Sequence, residues 1–84
     1  MLEIGLDELQ VLNKLVHPES IEQIIDETTL TEPVIIDIVR QLFHFGFIKL
    51  YSETKPVPLS FDVDQIKTTY FQLTAKGINE INKN

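Results

Sequence analysis

At 84 residues, with 43% hydrophobic residues, four prolines and no cysteine, the chain has the composition of one small globular domain, residues 1–84, around a single core. That composition excludes a disordered chain, a disulfide framework and a thiolate metal site, and no apolar run approaches the ~20 residues that cross a bilayer. The net charge of −6 is lopsided: residues 1–30 hold seven acids against Lys14 alone, whereas residues 31–84 balance six acids with six bases. The acidic half either solvates the protein or repels a phosphate backbone. The start, MLEIGLDEL, lacks the basic and then apolar pattern of a signal peptide, so a cytoplasmic protein without membrane contact is expected.

A first helix is predicted at about 7–17, with Asp7 and Gln10 as a capping box. Leu9, Leu12, Leu15 and Val16 supply its buried face, and His17-Pro18 ends it. A second helix at about 20–28 has Ser20 as cap and Ile21, Ile24 and Ile25 at helical spacing. Thr28-Thr29-Leu30 turns the chain into a third helix at about 31–45, with Thr31 as N-cap, Pro33 in the first turn and Gly46 just past the end.

At about 100° per residue, Val34, Ile35, Ile38, Val39, Leu42, Phe43 and Phe45 of this third helix share a broad apolar arc. Pro33, Asp37, Arg40, Gln41 and His44 lie opposite, with Ile36 at the border. The arc is wider than the ~100° stripe of a surface helix, as for a helix packed on several sides or one that also offers a partner surface. Phe47 to Tyr51 and Thr69 to Leu73 are β-rich strands of a hairpin at about 47–73. Between them the long segment 52–68 exceeds a ~2–5-residue hairpin loop. Within it Leu59, Phe61 and Val63 alternate with Ser60, Asp62 and Asp64, the period of an extra strand. Thr74 caps a last helix at about 74–83, with Ala75, Ile78 and Ile81 on its inner side. The expected class is α+β, mainly α.

The run SIEQIIDETTLTEPVIIDIVRQLFHFGFIKL resembles the helix-turn-helix pattern of winged-helix regulators. The run Tyr70-Phe71-Gln72-Leu73-Thr74-Ala75-Lys76-Gly77 is similar to the Tyr-x-Leu-Thr-x-x-Gly ending of winged-helix repressors of the multiple-antibiotic-resistance and phenolic-acid-response types. The resemblance covers roughly residues 6–82. It implies a winged helix-turn-helix: a three-helix core, a β-hairpin wing and a short C-terminal helix.

The resemblance further implies a transcriptional regulator that sets its third helix in the major groove of duplex DNA. Thr31, Pro33, Ile36, Asp37, Arg40, Gln41 and His44 would then face the bases, and Lys55 and Lys67 would serve the wing. Arg40 suits a guanine edge and Gln41 an adenine. Against this stand Glu19, Glu22, Asp26 and Glu27, where the second helix should meet phosphates. Beside the regulator expectation, those acids, the sparse bases and the elongated wing favour an alternative, a winged-helix module that binds another protein or a second copy of itself. Its contacts would come from the acidic helical face, the border residues Ile36 and Phe43, or the wing residues Leu59, Phe61 and Val63.

No enzymatic activity and no cofactor or metal is expected. His17 and His44 lack metal-ligand neighbours, the serines lack a nucleophile elbow, and Gly5, Gly46 and Gly77 are isolated. The neighbouring acids Asp7-Glu8 and Asp26-Glu27 read as helix-surface solvation.

Overall fold

A computed structural model describes residues 4–51, 66 and 69–83. In chain order these form α1 (Leu6–Lys14), β1 (Glu19–Ser20), α2 (Ile21–Glu27), α3 (Glu32–His44), β2 (Ile48–Tyr51), β3 (Tyr70–Leu73) and α4 (Ala75–Asn82). The class is α+β and mainly α. The strands make one antiparallel sheet in the order β1-β3-β2. The proposed extra strand around Leu59, Phe61 and Val63 lies outside the described residues.

The core is built from one face of each element. Val11, Leu12 and Leu15 meet Ile21 and Ile24 of α2 and Ile35, Ile38, Val39 and Leu42 of α3, while Phe47, Ile48, Leu50, Phe71 and Leu73 close it from the sheet side. In β2 the alternation is clean, with Ile48 and Leu50 buried and Lys49 and Tyr51 outward, as expected of a sheet covered on one face. Ile36, Phe43 and Phe45 are half-buried and pack against the core, so most of the wide arc of α3 is core. Val34 is the exception, 41% exposed.

Several sequence expectations are corrected. The N-cap of α1 is Gly5, not Asp7; no side chain caps this helix, and Asp7 with Glu8 sits in its first turn. There the two carboxylates still favour the positive end of the helix dipole. The helix also ends at Lys14, about a turn before His17-Pro18. The Leu15 N–H folds back to the Leu12 carbonyl at 3.0 Å, and the Leu15 carbonyl accepts the Leu73 N–H at 2.9 Å. A bond to the sheet thus replaces further helical bonding. Val11 takes the buried place assigned to Val16, which is 56% exposed.

Glu19 and Ser20 are not helical but form the short strand β1, opposite Phe71 and Tyr70. Ser20 then caps α2 reciprocally: its Oγ accepts the Gln23 N–H, and the Gln23 side chain accepts the Ser20 N–H at 2.8 Å. Thr31 holds the N-cap backbone geometry of α3 but makes no capping bond.

The α3–β2 corner is tied down by the start of α4. Gly46 takes φ +83°, the left-handed conformation that ends α3. The Thr74 hydroxyl donates to the Gly46 carbonyl at 2.6 Å and accepts the Gly77 N–H at 3.2 Å, while the Thr74 N–H reaches the Phe47 carbonyl at 3.0 Å. Lys76 Nζ donates to the Phe45 carbonyl at 2.7 Å and lies 4.8 Å from the centre of the Phe47 ring. It supplies a cation where the helix C-terminus is negative. Gly77 presses on the Phe47 carbonyl, so that an added Cβ would collide with that oxygen and stand 2.9 Å from Leu73 Cδ2. The inner face of α4 is therefore Gly77 and half-buried Ile81, whereas Ala75 and Ile78 (49% exposed) face out.

Candidate interaction face

The 3.6-residue period of α3 turns Pro33, Asp37, Arg40, Gln41 and His44 outward, and all are exposed, as is Thr31 at the N-cap. This is the face the sequence assigns to ligand. Ile36 and Phe43 are only half-exposed. Lys55, Lys67, Leu59, Phe61 and Val63 lie outside the described residues.

Two contacts on the face join near neighbours in the chain. Gln41 Nε2 donates to Asp37 Oδ2 at 3.2 Å, one helical turn away, which orients the Asp37 carboxylate. The His44 ring stands edge-on to Phe45, centroids 5.1 Å apart. Arg40 is the single arginine or lysine of α3.

Beside this face runs a groove of about 370 Å³, between the first turn of α1 and the N-terminal half of α3. Pro33, Val34 and Ile38 give it an apolar surface; Asp7, Glu8 and Asp37 surround that surface with carboxylates, and Gln41 completes the lining. No lysine or arginine lines it. The groove is hidden in the sequence, where helical periodicity sets Val34 in the core and Asp7 reads as a cap. The available signal was that Asp7-Glu8 and Pro33-Val34 each open a helix, with an apolar residue left over at Val34.

The second helix presents no cation either. Glu22, Asp26 and Glu27 of α2 are all exposed. Glu19, carried by β1, is half-buried with Oε1 enclosed and unbonded. Burial pushes its carboxyl up to about 7, helped by a hydrogen bond to and repulsion from Glu27, and opposed by Lys14. Loss of water around the carboxyl is the main reason it resists ionisation, and the adjoining Glu27 carboxyl adds to it.

Among the described residues no group of three or more His, Cys, Asp or Glu side chains is placed to hold a metal ion, and no helix is long and apolar enough to cross a membrane. No protein-family model, curated protein sequence or solved structure matches the chain.

Proposed function

We propose that this chain is a winged-helix module that binds another protein rather than duplex DNA. The winged-helix reading is supported by the element order, in which α1 and β1 precede the α2–α3 pair and β2 and β3 follow it. It is supported again by the placement of β1 beside β3. The Leu73-Thr74-Ala75-Lys76-Gly77 run has a matching structural job, the tie across the α3–β2 corner.

The observation that carries the choice of ligand is the charge of the outward α3 face. Affinity for duplex DNA comes largely from lysines and arginines that displace counterions from phosphates. Here one arginine stands on α3, the groove beside that face is lined by three carboxylates, and the charged residues of α2 are all acidic. An acidic surface of this kind suits a basic protein partner.

The regulator reading keeps one observation in its favour: Arg40 and Gln41 are both exposed on the helix that would enter the major groove. Fluorescence anisotropy with a labelled mixed-sequence duplex separates the two. The expected result is no binding at low salt with ~100 μM protein, the weak end of non-specific affinity. Binding that weakens steeply with salt and disappears in Arg40→Ala would establish the DNA reader instead.

A further inference from the structure

We infer that the groove between α1 and α3 docks a cationic amphipathic segment of a partner protein, an aliphatic side chain flanked by lysine or arginine. The inference rests on the protein-binding reading and adds the place and the chemistry of the partner.

The apolar part of the lining is the first reason. Val34 lies in the first turn of α3 yet is 41% exposed, and Pro33 beside it is exposed too. Two adjacent exposed apolar side chains in one groove lining mark a surface that gains from being covered. The volume of about 370 Å³ is at the low end for ligand pockets, which run ~300–1,000 Å³. It suits one or two inserted side chains better than a whole small molecule.

The charge selects what those side chains are attached to. Two helices begin at this groove, and each N-terminus contributes roughly +0.5 of an elementary charge. The lining carboxylates Asp7, Glu8 and Asp37 bring three full negative charges, with no lysine or arginine among the lining residues. The helix dipoles therefore offset only about a third of the acidity, and the rim stays negative. Asp37 is also held in place by the Gln41 amide, so one of the three carboxylates is oriented before any partner arrives. An anionic ligand, whether phosphate or acidic peptide, meets repulsion here; a lysine or arginine beside an aliphatic anchor meets complementary charge and a place to insert.

The test is a titration of the full chain, followed by amide NMR shifts, with synthetic helix-forming peptides of Lys-Leu-Ala-Lys repeats. Comparison peptides carry Ser for Leu, or Glu for Lys. The expected result is saturable shifts centred on Asp7, Glu8, Val34, Asp37 and Gln41. The Asp7→Asn/Asp37→Asn pair should weaken binding about tenfold or more, as should Val34→Ser. Removing the same two charges from α2, by Glu22→Gln/Asp26→Asn, should leave it nearly unchanged. Equal weakening by both charge pairs, equal binding of the Ser peptide, or no shifts up to about 1 mM peptide would overturn the groove as the site. The two failures are distinguishable: salt-sensitive duplex binding removes the protein-binding reading itself, whereas absence of both duplex and peptide binding removes only the groove.

Discussion

Replacing Gly77 by alanine is the most demanding test of how the α3–β2 corner is held. In an ordinary helix interior this change stabilises by about 0.5–1 kcal/mol, because alanine has the better helix propensity. Here the new methyl would overlap the Phe47 carbonyl oxygen and crowd Leu73 Cδ2. Main chain cannot swing aside as a long side chain can, so α4 must lift. Overpacking of this kind costs about 1–3 kcal/mol. Lifting α4 also stretches the bond from the Thr74 N–H to the Phe47 carbonyl, worth about 1 kcal/mol. Set against the propensity gain, the net loss is about 1–3.5 kcal/mol. For a domain of this size that lowers Tm by roughly 5–25 °C. Thermal and urea unfolding followed by circular dichroism measure it, with Asn79→Ala on the exposed side of α4 as the propensity control. A Gly77→Ala protein that melts at or above the parent would refute the close packing of α4 on Phe47.

Four further outcomes follow from the same contacts. Thr74→Val, which keeps the shape but removes the hydroxyl, should lose about 1–3 kcal/mol in urea unfolding, since both the cap and the Gly46 bond disappear; Thr74→Ser should retain most of that stability. Ser20→Ala removes one half of the capping box of α2 and should cost about 1 kcal/mol in the same assay. Lys76→Met keeps most of the aliphatic stem over Phe47 but loses the bond to the Phe45 carbonyl, for an expected loss of about 0.5–1.5 kcal/mol. Glu19 gives the pH dependence. Its carboxyl titrates at about 7 folded against 4.5 otherwise, so the folded state binds the extra proton; the stability this contributes is complete below pH 4.5 and is lost as pH rises through about 7. Glu19→Gln should therefore remove that downward slope and be the more stable protein at pH 8. An unchanged slope between pH 4.5 and 7 in the variant would show that Glu19 is not its source.

The parts of the fold that could be read from sequence are those set by local chemistry. Ser20 with Gln23, Thr74 at the start of α4, Pro33 in the first turn of α3 and Gly46 at its end each act within a few residues of themselves. The apolar period of α3 likewise placed Asp37, Arg40, Gln41 and His44 outward before any packing was known. What escaped was set by distant partners. Leu15 leaves its helix because Leu73 takes its carbonyl, and Glu19-Ser20 becomes a strand because β3 offers an edge to pair with. Two polar residues carry no strand period of their own. Helical spacing links Ile78 to Ala75 and Ile81 and so points it inward, yet Gly77 takes the closest approach, since only a residue without a side chain fits against the Phe47 carbonyl.

The candidate site shows the same division, with a sharper consequence for charge. Six bases balance six acids in residues 31–84, which by itself suggests a surface neutral enough to approach DNA. The folded chain assigns two of those bases elsewhere: Lys76 closes the end of α3 on the Phe45 carbonyl, and Lys83 pairs with Glu80 at 3.3 Å. Of the other four, Lys55 and Lys67 lie outside the described residues, while Arg40 and Lys49 are exposed on different elements, α3 and β2. The acids are not dispersed in the same way. Asp7 and Glu8, distant in sequence from Asp37, join it at one groove, and Glu19, kept from ionising first by burial, also has Glu27 beside it. Folding thus divides the cations and gathers the carboxylates. Because charge–charge interactions fade over about 8–10 Å in ordinary salt, this local gathering, rather than the net charge of −6, determines which partner the α1–α3 face can hold.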